Sequence, residues 1–233
     1  MIGLGQRLLA ELIGCLLLTA AVVGSGIAAQ TLSPDDGGLQ LAENAAATAL
    51  ALLALISVLS PISGAHLNPV ISLADAALGR RAWGGTVAYI AAQLVGCAAG
   101  VVIANLMFAR GPVSISGHDR LTFAHWVAEI VATAGLVVVV FVLMRTGRER
   151  LAPIAVAAYI GAAYFFTSST SFANPAITLA RTLTDSFSGI QPTSALAFVG
   201  AQLAGGAIGL VIARVLTPTS APAEAVDQKG ATS

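Results

Sequence analysis

Six stretches of this chain are long and apolar enough to lie in a bilayer: Leu8–Ala29, Ala45–Ser60 (extendable by a turn at its start), Thr86–Phe108, Phe123–Met144, Leu151–Thr167 and Ser194–Leu216. A helix that crosses the hydrocarbon core needs about 20 mostly apolar residues, so the pattern restricts the chain to an all-α membrane protein. Composition agrees. Only 9% of the residues are charged, 57% are hydrophobic and mean hydropathy is +0.87, where a globular domain carries about 25% charge. So few charges cannot cover a soluble surface, and so much apolar side chain cannot stay solvated as a disordered chain. Basic and acidic residues balance at a net charge of 0, which removes any electrostatic footprint for nucleic acid. Cys15 and Cys97 both lie within apolar runs and read as buried small hydrophobes rather than a disulfide framework. With three histidines no metal-ligand cluster is readable. No nucleophile–base pair or phosphate loop is present either, so neither an enzyme nor a cofactor is expected.

Arg7 precedes the first apolar run, as in a signal peptide, but the run is too long and carries Glu11; it reads as a retained helix. With both termini on one side, that side collects Arg7, Arg80, Arg81, Arg145, Arg148, Arg150, Arg214 and Lys229, against Arg110, Arg120 and Arg181 opposite. The positive-inside rule then places both termini in the cytoplasm of a multi-pass inner (plasma) membrane protein. The Pro-, Ala-, Ser- and Thr-rich segment 217–233 reads as a short disordered cytoplasmic tail behind a single transmembrane domain over residues 1–216.

The two halves of that domain, about 7–108 and 123–216, resemble each other. Ala88–Ala104 aligns with Ala197–Ala213, matching Gln93 to Gln202 and Gly96 and Gly100 to Gly205 and Gly209. Ala10-Glu11-Leu12-Ile13 likewise matches Ala128-Glu129-Ile130-Val131. Each half holds an odd number of spans, so the second must enter the membrane from the opposite face. Such inverted repeats carry their functional elements near the bilayer midplane.

Between the second and third span of each half stands an Asn-Pro pair: Ser63-Gly64-Ala65-His66-Leu67-Asn68-Pro69-Val70 and Ser171-Phe172-Ala173-Asn174-Pro175-Ala176. Asn caps the free N–H groups of a helix start, and Pro at the first helical position loses no needed hydrogen bond. The apolar run after each pair predicts about ten residues of helix, roughly 15 Å, half the hydrocarbon thickness. Two such half-helices, related by inverted symmetry, meet head to head at the midplane. Their N-termini disfavour cations there, and the Asn68 and Asn174 amides offer donors to a passing oxygen atom. The irregular backbone before them, with the carbonyls of Gly64, Ala65, His66, Thr170 and Phe172, is tolerated at this depth only against protein or a water-filled cavity. A line of acceptors ending at a pair of donors suits small neutral molecules.

From Arg7 to Leu216 the chain resembles the aquaporin or major intrinsic protein family, through its six spans, its duplication, Ser63–Pro69 and the paired motifs. Asn174-Pro175-Ala176 has the family form, and Asn68-Pro69-Val70 is a variant of it. The resemblance implies six transmembrane helices plus two half-helices in an inverted repeat. It also implies a passive channel for water or small uncharged solutes, with a central constriction at the two motifs, and a homotetramer with one pore per subunit. Family members usually carry an Arg three residues after the second motif's Asn; here Ile177 stands there. Counted by the family's spacing, the other selectivity-filter positions are Thr48, Ala162 and Ser171, so no ring, histidine or arginine is expected at that constriction. A wide, weakly polar mouth resembles a bacterial subgroup associated with metalloid movement, which implies polyols or metalloid acids such as arsenous acid as solutes. Arg181, four residues beyond Ile177, is expected at the interface, snorkelling away from the pore.

Glu11 and Glu129 are acids within apolar spans, and such residues are functional hypotheses by default. As a coupling site they would make the protein a proton-coupled secondary transporter of a small solute. As a symmetric pair they are expected instead to hold the loops before the half-helices, the role the resemblance also implies. Gln93 and Gln202 are expected to satisfy loop backbone, the Gly-x-x-x-Gly pairs to allow close helix crossing, and His66 to anchor its loop.

Overall fold

The computed structural model describes residues 2–217; apart from Thr217, the tail expected over 217–233 lies outside the described residues. The first half comprises α1 (Leu4–Leu32), α2 (Gly37–Ser63), the short α3 (Pro69–Ala77) and α4 (Trp83–Met107). The second repeats the order as α5 (Phe123–Arg145), α6 (Ala152–Phe166), the short α7 (Pro175–Ala180) and α8 (Pro192–Leu216). Five of these helices, α1, α2, α4, α5 and α8, are long and apolar enough to cross a membrane. The fifth predicted span, Leu151–Thr167, is met by a helix whose ends lie within one residue of it. Its helix, α6, has 15 residues, about 22 Å at 1.5 Å per residue, and a 3₁₀ turn over Glu149–Leu151 lengthens it.

Local chemistry explains the helix ends. Asp36 caps α2 by accepting the Leu39 N–H at 2.9 Å, and Thr122 caps α5 by accepting that of His125 at 3.1 Å. Helix α2 stops at Gly64, whose φ of +90° is left-handed and costs a glycine little.

The tightest packing joins α1 to α4 and α5 to α8, and glycine makes it possible. A Cβ on Gly96 would lie 2.3 Å from the Leu12 carbonyl oxygen, and one on Gly100 2.4 Å from that of Leu16. The other half repeats this, with Gly205 against Ile130 at 2.5 Å and Gly209 against Ala134 at 2.4 Å. No side chain fits at these four positions, so the small-xxx-small pairs set the helix separation. Cys15 and Cys97 are fully buried free thiols, Cys15 lying against Gly96 where α1 meets α4. Each half-helix packs on the last long helix of its own half and on that of the other, α3 on α4 and α8, α7 on α8 and α4. The two repeats are thus locked together at their short helices.

Candidate functional site: a cavity between two half-helices

Asn68 and Asn174 stand at the N-caps of α3 and α7. Each accepts backbone N–H groups through its side-chain oxygen, Asn68 from Val70 at 2.9 Å, Asn174 from Ala176 at 3.0 Å and Ile177 at 3.3 Å. Each also donates across the repeat boundary. The Asn68 Nδ2 gives a hydrogen bond to the Ala173 carbonyl at 2.8 Å, and the Asn174 Nδ2 gives one to the Leu67 carbonyl at 2.7 Å. The tips of the half-helices are therefore tied reciprocally. An Asn amide has two N–H donors, so one on each side chain is left for another acceptor. Helix α3 has nine residues; α7 has six and continues as a 3₁₀ turn over Arg181–Leu183, close to the ten expected.

The loops leading to these caps have one backbone design. Gly64, Ala65 and Leu67 have φ of 90°, 47° and 49°, and Thr170, Ser171 and Ala173 have 62°, 51° and 45°. Left-handed φ at a side-chain-bearing residue is strained, and two carboxylates hold it in place. Glu11, fully buried in α1, accepts from Ser63 Oγ and the His66 N–H at one oxygen (2.6 and 2.9 Å), and from the Leu67 N–H and Gln93 Nε2 at the other (2.7 and 2.8 Å). Glu129 in α5 repeats the set with Ser169 Oγ and the Phe172 N–H (2.6 and 2.9 Å), then the Ala173 N–H and Gln202 Nε2 (2.9 and 2.6 Å). The loop N–H groups thus turn toward the carboxylates. The carbonyls of Gly64, Ala65, His66, Thr170, Ser171 and Phe172 accept no hydrogen bond from the described residues.

Gln93 and Gln202 do not bond loop backbone as expected. They brace the carboxylates, and their second contacts are the hydroxyls of Ser72 at 3.0 Å and Thr178 at 2.8 Å. Ser63 with Ser169 and Ser72 with Thr178 sit at the same spacing from the two Asn caps, a repeat of small hydroxyl residues that extends the Asn-Pro signal in the sequence. His66 anchors its loop, with Nδ1 3.0 Å from Ser72 Oγ and Nε2 3.8 Å from Asp75.

One cavity of about 760 Å³ passes all of this. At one end it is lined by Asp75, Arg80, Arg81 and Arg150, at its middle by Gly64–Asn68 and Ser171–Asn174, and at the other end by Thr48, Ile177 and Arg181. Pro69, Val70, Pro175 and Ala176 are buried behind the Asn side chains rather than in its wall, and Thr170 is half-buried outside it. Val70 fills space that a larger neighbour would take, since a Cβ on Gly206 of α8 would meet its Cγ1 at 2.4 Å.

The far end departs from the sequence reading in two respects. Ala162 is exposed on the outside of α6 and does not line the cavity. Two residues correspond to about 200° of helical rotation, so it is Tyr164 that points inward, buried, with its hydroxyl 3.0 Å from that of Thr48. Arg181 does not snorkel to an interface. It is 3% exposed, lines the cavity, lies 3.5 Å from the ring centroid of Phe172, and donates from Nε to the Ser188 carbonyl. Helix α7 ends at Ala180, so Arg181 enters a 3₁₀ turn and its side chain does not follow the α-helical direction that spacing implied. This end therefore holds an arginine and two aromatic rings where none was expected. Ser171 adds a buried hydroxyl with no partner among the described residues.

An inverted pair of helical repeats, with two capped half-helices bordering a long polar-edged cavity, defines a membrane channel architecture. Residues 2–173 match the Major intrinsic protein family. The chain is 45% identical to aquaglyceroporin AqpS of Rhizobium meliloti over 94% of its own length and 93% of that protein's. It is 30% identical to aquaporin NIP2-3 of Zea mays over 76% of the chain and 60% of the maize protein. Among solved structures, the aquaglyceroporin from Plasmodium falciparum superposes with a TM-score of 0.66 at 18% identity, covering 94% of this chain and 98% of that one. The chain belongs to the major intrinsic protein family, a family of membrane channels.

Proposed function

We propose that this chain is a passive, bidirectional channel for water and small uncharged solutes, and that its solutes extend to polyols and to metalloid acids such as arsenous acid. The observation that carries the reading is a cavity running past both Asn caps, bordered by loop carbonyls that no donor among the described residues uses. A molecule that both donates and accepts, as water, glycerol and arsenous acid do, can exchange its hydration for these groups. We place the central constriction at Asn68 and Asn174, with Pro69, Val70, Pro175 and Ala176 shaping it from behind. The outer constriction consists of Thr48, Ser171 and Ile177 with Tyr164. Glu11 and Glu129 support the loops. The name of the Rhizobium meliloti relative supports a solute range beyond water.

Exposed apolar side chains such as Leu50, Val58, Val87 and Phe123 suit a lipid surface, with both termini cytoplasmic and the subunits assembled as a homotetramer. The rival reading, a proton-coupled transporter, needs an acid free to exchange a proton. Glu11 and Glu129 each spend both oxygens on four donors. Stopped-flow measurements on proteoliposomes with water, glycerol, urea and arsenous acid test the proposal. Flux is expected to rise linearly with solute concentration and to persist when an uncoupler is added at constant pH. Saturation, or loss of flux with the uncoupler, would overturn it.

A further inference from the structure

Arg181 is a buried cation with no anionic partner among the described residues. No carboxylate of the described residues lies within ion-pair distance, and the acid of the neighbouring loop, Glu129, is already consumed by four donors. Its Nε is engaged by the Ser188 carbonyl and one face of its guanidinium by the Phe172 ring. That ring is held edge-on by Phe198 at 5.3 Å between centroids. The two terminal amino groups of Arg181 have no acceptor among the described residues, and the residue lines the cavity with Thr48, Tyr164 and Ser171. A second guanidinium, that of Arg120, stands 5.3 Å from the same ring centroid, fixed by the carbonyls of Gly189 and Phe187 at 3.1 Å each. It too has no carboxylate partner among the described residues.

An unpaired charge in a low-dielectric site is costly, and its field is correspondingly strong there. Stacking on a ring and bonding to a carbonyl compensate part of the cost without neutralising the charge. A cation entering this end of the passage meets that field, whereas a neutral solute meets unused N–H donors.

We infer that Arg181 is the specificity-determining residue that bars protons and other cations from this passage, that Phe172 is its positioning residue, and that oxygen atoms of uncharged solutes hydrogen-bond its free terminal amino groups. The charge missing at position 177 is thus supplied from the 3₁₀ turn one helical turn further along the chain. The inference rests on the channel reading above, and goes beyond it in assigning cation exclusion to a residue outside the motif positions.

The test measures two fluxes in the same proteoliposomes, glycerol by light scattering and protons by an enclosed pH-sensitive dye under a potassium diffusion potential. The unaltered protein is expected to pass glycerol while its proton influx stays at the level of protein-free vesicles. Arg181→Gln that still conducts glycerol is expected to raise proton influx about tenfold or more. Arg120→Gln is expected to raise it less. Phe172→Leu is expected to leak as Arg181→Gln does, and Phe172→Tyr, which keeps the ring, is expected to stay tight. A structural role alone would not separate those two Phe172 variants. Proton leak through the unaltered protein would overturn the inference, as would a glycerol-conducting Arg181→Gln that remains proton-tight. Should Arg181→Gln not fold, the unaltered protein and the Phe172 pair still decide. Absence of both water and glycerol flux in the unaltered protein would instead remove the channel reading, and this inference with it.

Discussion

Gly206 and Val70 show how one residue's size is set by another far along the chain. The stiff β-branched side chain of Val70 occupies the space that a Cβ at Gly206 would need. Gly206→Ala is expected to cost about 1–3 kcal/mol of stability, the usual effect of overpacking. Val70→Ala in the same chain is expected to restore most of it. Thermal unfolding of the purified protein in detergent checks both, and a double variant no better than Gly206→Ala would show that the contact does not govern the site. Glu11→Gln and Glu129→Gln each put an amide where two oxygens now accept four donors, setting N–H against N–H. Each is expected to lose about 1–3 kcal/mol together with solute flux, and the two losses should be alike because the two hydrogen-bond sets are alike. A transporter's coupling acid would behave differently, with one of the two variants keeping its stability while flux uncouples from the gradient.

At the scale of elements, the α1–α4 and α5–α8 pairs depend on glycines that bring backbone to backbone. Gly100→Leu must drive a side chain into the Leu16 carbonyl, so the expectation is failure to recover folded protein by size-exclusion chromatography. The neighbouring Gly84, with open space around its Cβ position, is the control that tolerates alanine. A second element-level device lies outside the spanning helices, where the loop after α4 is pinned to the start of α8. Asp119 accepts the Leu121 N–H at 2.8 Å and the Ser194 hydroxyl at 2.8 Å, and these bonds hold its carboxyl below its ordinary value. A carboxyl whose folded value is depressed stabilises the fold above its ordinary value and loses that contribution as pH falls through the lowered one. The loop is therefore expected to loosen below about pH 3.9. Trp126 fluorescence should report this as a transition that Asp119→Asn lacks.

At the scale of the whole molecule, the solute range follows from how two ends of one cavity are furnished. Ile177→Arg adds bulk and charge beside Arg181, and is expected to reduce glycerol and arsenous acid passage more than water passage in a stopped-flow panel. Equal reduction for all three would place the constriction elsewhere. The Asp75, Arg80 and Arg81 cluster at the opposite end, with Arg80 and Arg81 at 3.1 and 3.5 Å from the Asp75 carboxylate, leaves that mouth more cationic than anionic as well.

Hydropathy, the duplication and the two Asn-Pro pairs are local or periodic properties, and from them the all-helical spans, the inverted halves, the caps on α3 and α7 and the pairing of Glu11 with Glu129 could be read directly. They were legible because each depends on residue type and on distance along the chain, which a bilayer turns into geometry. Which face of α6 turns inward was not, because a two-residue error in a spacing argument is half a turn of helix, and it exchanged Ala162 for Tyr164. Nor was Arg181, whose direction depends on α7 giving way to a 3₁₀ turn, on a carbonyl from Ser188 and on the ring of Phe172. Those partners meet only when the chain is packed, so the charge at the end of the cavity lined by Thr48 and Ile177 was a decision of tertiary structure.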